Sequence, residues 1–276
     1  MTTQPHTRRA LLGAGAALAL ARKAAAAPES LAFAREPAQG MLVTGRTAPG
    51  TRLALDGRNV RVSPAGDFAF GFGRDAGPQA SLHITHPDGR AETRSLAIHK
   101  REWRTQRING LPERMVTPPD EVMARIRAEQ ERLNATRRVD TPEAWFAEGF
   151  LWPVHGPISG VYGSQRILNG QPRAPHLGLD IAAPTGSTVV APATARVALV
   201  GDLYFTGNTV ILDHGHGVAT FHAHLSRVDV REGDHLPRGT PFGAVGATGR
   251  VTGPHLHLGL FWFSTSLDIQ PLLSAE

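Results

Sequence analysis

The chain has 276 residues, enough for two modest domains. It contains no cysteine, which excludes disulfides, thiolate metal sites and a lipid-modified cysteine anchor. Lys and Arg exceed Asp and Glu by 29 to 24, but no basic patch interleaves with aromatics, so nucleic acid is not an expected partner.

The N-terminus reads as an export signal over residues 1–27. Arg8 and Arg9 precede a short apolar stretch from Ala10 to Ala21, followed by Arg22, Lys23 and four alanines. The apolar stretch is too short for an ordinary membrane span. Thr7-Arg8-Arg9-Ala10-Leu11-Leu12 resembles a twin-arginine signal, the alternative being an ordinary secretory signal. Cleavage is expected after Ala25 or Ala26, since Pro28 directly after the cut is unfavourable. Removing the four basic residues of this segment takes the formal net charge from +5 to +1. The basic balance is therefore largely a targeting effect. The mature chain is expected in the periplasm or cell envelope, with no stable membrane anchor.

Residues 38–100 show short alternating runs broken by turn pairs. Leu53 and Leu55 lead into Asp56-Gly57, a hairpin-type turn. Val60 and Val62 alternate with Arg61; Phe68, Phe70 and Phe72 follow Gly66-Asp67; Leu82 and Ile84 precede Pro87-Asp88-Gly89. The pattern predicts a small β-sandwich of six or seven strands.

Residues 101–150 read as a linker with a helix. Asp120 to Arg138 is rich in helix formers, with Val122, Met123, Ile126 and Leu133 roughly on one stripe. Glu129, Glu131 and Arg132 read as a solvated face. From residue 151 the chain is again β-rich. Strands are expected at Val189–Ala191, Arg196–Val200, Thr209–Leu212 and Val218–Phe221, with a hairpin turn at Asp213–Gly217. The fold class is therefore mostly β.

Nine of the thirteen histidines lie between His155 and His257. In His255-Leu256-His257 a strand places both imidazoles on one face and the leucine on the other. His176 and Asp180 also have an even spacing, which a strand would keep on one face. Imidazole and carboxylate together suit zinc, and a catalytic zinc needs three protein ligands and an open position. His176, Asp180 and one histidine of the His255/His257 pair supply three. A neighbouring histidine, with His224 a candidate, can act as general base or stabilise an oxyanion. The other histidines have plainer readings. His214 and His216 flank a turn and are expected in solvent, and His83, His86, His99 and His235 have no partner spacing. Phe261 and Trp262 are expected in the core.

Four blocks resemble the M23 metallopeptidases, the LytM or lysostaphin-type peptidoglycan endopeptidases. They are His176-Leu-Gly-Leu-Asp180, Asn208 to Gly217, His222-Ala-His224-Leu-Ser226, and Gly246 to His257, in that order. The resemblance implies a compact antiparallel β peptidase domain over residues 151–276 with zinc in a groove. It implies that His176, Asp180 and His257 bind Zn2+, and that His224 and His255 are the catalytic pair. The implied partner is the peptide stem of peptidoglycan, whose cross-links would be hydrolysed. The alternative is a non-catalytic LytM-like module that activates a wall amidase; such modules lose ligands, whereas all five polar positions are kept here. Two departures stand out. His222 replaces the family's tyrosine two residues before the catalytic histidine, and reads as a packed aromatic substitute, the alternative being a third polar group in the groove. No tyrosine stands shortly before His176, leaving Tyr162, Arg166 or Asn169 to face the groove instead.

Overall fold

The computed structural model describes residues 31–110 and 118–274. The export-signal segment lies outside the described residues. The N-terminal strands are β1 (Ala32–Phe33), β2 (Leu42–Arg46), β3 (Arg52–Leu55), β4 (Arg58–Val60), β5 (Asp67–Gly71), β6 (Gln79–Thr85) and β7 (Ala91–Ala97). They form two small antiparallel sheets, ordered β1-β2-β5 and β4-β3-β6-β7. The alternation read from the sequence is the reason. Leu53, Leu55, Leu82 and Ile84 all point inward and are buried, as are Phe68 and Phe70 of β5. Asp56 and Gly57 take positive φ in the β3–β4 turn, as an Asp-Gly hairpin requires.

The connecting segment holds β8 (Thr105–Ile108) and helix α1 (Met123–Thr136). No residue of α1 is buried, and of the expected apolar stripe Leu133 packs against a core cluster. The charged face is more than solvated. Arg125 bonds Glu129 and the Asp202 carbonyl, Arg132 pairs with Glu232, and Glu129 accepts the Tyr204 N–H. These contacts lash the helix to the following sheet. Exposed pairs of this kind contribute little stability and chiefly fix position.

The remaining strands are β9 (Phe150–Leu151), β10 (Ile158–Gly160), β11 (Gln165–Leu168), β12 (Gln171–Arg173), β13 (Leu179–Ala182), β14 (Thr188–Val190), β15 (Ala195–Leu203), β16 (Gly207–Asp213), β17 (Val218–Val228), β18 (His235–Leu236), β19 (Pro241–Val245), β20 (His255–Trp262), β21 (Thr265–Leu267) and β22 (Leu273–Ser274). The main sheet runs β10-β13-β20-β17-β16-β15-β18, with β21 paired to β20 and the β14–β19 pair joined through β17. The linker is knitted into this part, because β8 pairs in parallel with β11 and Gln106 stands opposite Arg166. Further ties join the first hundred or so residues to the C-terminal strands. Arg101 reaches Asp268 at 2.8 Å, and the Arg58 guanidinium lies 4.0 Å over the Phe263 ring.

His214 and His216 are buried rather than exposed. The hairpin turn is covered by the segment before β9: His216 N–H donates to the Thr141 carbonyl, and Phe146 N–H to that of His214. The His214 ring bonds the Thr194 carbonyl and the Thr220 hydroxyl, at 2.9 and 2.7 Å. His222 is also fully buried, edge-on to Phe242 with ring centroids 4.9 Å apart, and neither ring nitrogen has a well-formed hydrogen bond.

Burial pushes His214 down to about 4 and His222 down to about 3. Both are neutral in the fold, whereas the unfolded chain protonates them near pH 6.5. Their contribution to stability is complete above that value and is lost as pH falls towards 4 and 3. Each histidine contributes a slope of up to about 1.4 kcal/mol per pH unit in that window. The melting temperature of the metal-free chain is expected to fall steeply from pH 6.5 to 4 in a calorimetric series. His222→Phe is expected to lose less over the same step; an identical slope would contradict the assignment.

Candidate metal centre and groove

His255 and His257 begin β20, and strand alternation sends both to one face while Leu256 and Leu258 enter the core. The β13–β20 ladder sets Asp180 directly opposite His257 and Ala182 opposite His255. Cross-strand neighbours on one face lie close enough for their side chains to meet. His176 arrives differently. The strand begins only at Leu179, and His176 sits in a loop before it, so strand alternation does not bring His176 to the face of Asp180. Backbone bonds hold that loop, with His176 N–H donating to Ser164 and its carbonyl accepting from Gly163.

Three ligand atoms converge. His176 Nε2 lies 3.0 Å from Asp180 Oδ1, His257 Nδ1 lies 2.8 Å from the same oxygen, and the two nitrogens are 3.1 Å apart. Ligand bonds of about 2.0–2.1 Å in a tetrahedral zinc site place neighbouring donor atoms about 3.3 Å apart. The triangle is thus close to one face of such a site.

Proton counting points the same way. The Val161 carbonyl, 3.1 Å from His176 Nδ1, can only accept, so Nδ1 carries the proton of the neutral ring. His176 Nε2 then presents a lone pair to a carboxylate and to another imidazole. Burial lowers the pKa of His176, which disfavours a second proton on that ring. Burial alone would raise Asp180, but the two imidazoles outweigh it and hold the carboxyl well below the usual range. Lone pairs converging on one point, with too few protons between them, fit a cation. Among the described residues, these three form a group able to hold a metal ion.

Two glycines make room for this packing. A Cβ on Gly178 would fall 2.6 Å from His257 Nε2, and one on Gly160 would collide with the Asp180 carboxylate.

His224 reaches the groove through a backbone irregularity. His222 stands opposite Leu258 and Ala223 opposite His257. Simple alternation would therefore send His224 to the core with His222. Instead the β16–β17 register shifts between Asn208/Leu225 and Val210/His222, and His224 takes φ +65°. This bulge turns the ring to the other face. Its centroid lies 4.8 Å from that of His255. His224 Nδ1 donates to the Thr248 carbonyl at 2.8 Å and His255 Nδ1 to that of Gly253 at 2.9 Å, which turns both Nε2 atoms away from these carbonyls. Burial pushes His224 down to about 4, so it is neutral at pH 7 and able to accept a proton.

All five predicted residues line one groove of about 390 Å³. Arg166 lines it too, with Nη2 3.7 Å from Asp180 Oδ2. Tyr162 does not; it is buried and its hydroxyl donates to the Ser266 carbonyl. Asn169 is not among the lining residues. Trp262 is core, while Phe261 is buried with one side on the groove. Sequence reasoning passed over Gln106, Ile108 and Arg137, which reach the groove from the linker.

Residues 174–269 match the model of peptidase family M23. A crystal structure from Pseudomonas aeruginosa, assigned as a peptidase M23, superposes with a TM-score of 0.68 at 28% identity, covering 88% of this chain and 97% of that one. Peptidoglycan DD-endopeptidase ShyA of Vibrio cholerae is 41% identical over 87 residues, 32% of this chain and 20% of its own length. DD-carboxypeptidase/endopeptidase Mpg of Neisseria meningitidis is 45% identical over 82 residues, 30% of this chain and 19% of its own. Cell division protein DipM of Caulobacter vibrioides is 36% identical over 120 residues, 43% of this chain and 19% of its own. The chain thus spans about a fifth of the length of these relatives. Its C-terminal segment is similar to the M23 peptidases, and it carries a His-Asp-His cluster of metal-ligand type.

Gly178→Ala is expected to displace the His257 ring. Zinc affinity, measured by competitive chelator titration, should fall at least about tenfold, as for other groups that orient a metal ligand. An unchanged affinity would contradict this packing argument.

Proposed function

We propose that the chain is an exported zinc metalloendopeptidase that hydrolyses peptide cross-links of bacterial peptidoglycan. The observation that carries this reading is the convergence of His176, Asp180 and His257 in a groove that His224 and His255 also face. In this reading the three former residues hold the ion and the two latter are catalytic. Zinc, when bound, supplies Lewis acidity that activates water for attack on a peptide carbonyl.

The chain's own residues do the rest. The His224 and His255 rings are each fixed by a backbone carbonyl at Nδ1, which leaves Nε2 to face the groove. One accepts a proton from the attacking water, and the protonated ring returns it to the leaving amine as the C–N bond breaks. The other positions that water through its Nε2, and the protonated ring offers its N–H to the developing oxyanion before giving the proton up. Arg166 beside Asp180 adds positive charge at the same place.

The activities named for ShyA and Mpg support a DD-cross-link as the bond class, of which the D-alanyl–meso-diaminopimelate link is the candidate. The five converging residues favour hydrolysis over the non-catalytic, amidase-activating alternative. Among the described residues no helix is long and apolar enough to cross a membrane. The twin-arginine-like N-terminus supports export. The division into signal 1–27, β-sandwich 38–100, linker 101–150 and peptidase 151–276 belongs to the same reading.

His257→Ala is expected to lose both stoichiometric zinc and all release of cross-linked fragments from purified peptidoglycan, followed by mass spectrometry. His224→Ala is expected to keep zinc and lose about 10²–10⁴-fold in rate. A His257→Ala chain that still cuts at the original rate would overturn the proposal.

A further inference from the structure

Three arginines line the groove: Arg137, Arg166 and Arg250. One carboxylate, Asp180, lines it with them, and that carboxylate is already engaged by His176 and His257. Removing the signal leaves a chain of formal charge near +1, so this concentration of cations is local.

The three are not equivalent. Arg250 lies 4.5 Å over the Phe205 ring. Arg166 has a buried Nε without a hydrogen-bond partner, and its 3.7 Å approach to Asp180 is too long for a hydrogen bond. Arg137 comes directly after α1, and its guanidinium lies 4.1 Å from the Phe261 ring. Its buried Nε has no partner, and no carboxylate lies within ion-pair distance of it among the described residues. Stacking on Phe261 accounts for where the side chain lies. It gives the buried Nε–H no acceptor, and a part-buried cation without a counter-charge is unfavourable. Burial lowers the pKa of all three guanidiniums, and for Arg250 the charges of Arg166 and Arg173 add to the effect. The groove would therefore gain from an anion that enters it. A guanidinium edge matches a carboxylate in shape, offering two parallel N–H donors.

We propose that Arg137, with Arg166, is a substrate-specificity determinant that binds a free carboxylate, so that the groove selects carboxylate-bearing cross-link peptides over their carboxamide forms and over uncharged bridges. The proposal rests on the hydrolase reading for the cleavage step, and not for binding itself. Both arginines lie before residue 174, where the family match begins. Selectivity in this chain thus comes from the linker and β11, while the reacting groups come from the M23 segment.

The test uses two synthetic peptides. Each carries a D-alanyl–meso-diaminopimelate cross-link, one with its carboxyls free and one with them as carboxamides. Binding to the metal-free full chain by calorimetry keeps carboxylate–zinc coordination out of the comparison. The free-carboxylate peptide is expected to bind at least about tenfold tighter, the effect of one charge-assisted contact. Arg137→Met keeps an unbranched apolar stem over Phe261 and removes the charge. It should shrink that preference to within about threefold without lowering the melting temperature or the affinity for the carboxamide peptide. Arg137→Lys should recover part of the preference. Equal affinity for the two peptides in the unaltered chain would overturn the proposal. So would an Arg137→Met chain that keeps the preference, or that weakens both peptides alike. Turnover by the zinc-loaded chain separates the two readings. Selective binding without cleavage of either peptide defeats the hydrolase reading alone, and cleavage without selective binding defeats this one alone.

Discussion

The pairing of β13 with β20 places Asp180 and His257 face to face, and the rest of the site is arranged around that register. A slip of one residue would send every side chain of β20 to the opposite face, exchanging the two histidines for leucines. The core prevents it. Leu256, Leu258 and Leu260 are fully buried on the far face, and Leu179 and Ile181 of β13 are buried beside them. The hydrophobic pattern that folds the sheet therefore also fixes the geometry of the His-Asp-His cluster. Gly178 and Gly160 complete it by leaving space for the His257 ring and the Asp180 carboxylate.

Other groups join the face by local departures from regular structure. His176 comes from a loop, held by its backbone bonds to Ser164 and Gly163. His224 comes from a bulge with positive φ, an unfavourable conformation for a non-glycine residue. The bulge puts His224 in the groove and leaves His222, two residues away, in the core. The linker supplies a wall by adding β8 to β11 and by carrying Arg137 across from the end of α1.

These differences decide how much of the molecule is legible in its sequence. The face shared by His255 and His257 is legible because strand periodicity alone determines it. The alternating strands of residues 38–100 are legible for the same reason, since Phe68, Phe70, Leu82 and Ile84 have an unambiguous period of two. No continuous strand runs over His176–Asp180, so the even spacing is not what joins them; His176 is held by backbone bonds to a neighbouring loop and not by a ladder. His214 and His216 are expected in solvent, yet the segment from Thr141 to Phe150 folds over their turn. Nothing local to that turn signals such a cover. The groove arginines are illegible too. Arg137 lies 120 residues before His257, and its role depends on packing that only the folded chain shows. The charged face of α1 reads as solvated from periodicity alone, since its partners Asp202, Tyr204 and Glu232 are distant in sequence.

The central claim is that three named atoms bind one ion. Anomalous diffraction at the zinc edge from crystals of the zinc-loaded chain tests it most directly. One zinc is expected, bonded to His176 Nε2, Asp180 Oδ1 and His257 Nδ1, with His224 and His255 facing it but not bonded to it. Zinc held by His224 or His255 in place of His257, or no zinc peak at this cluster, would contradict the claim.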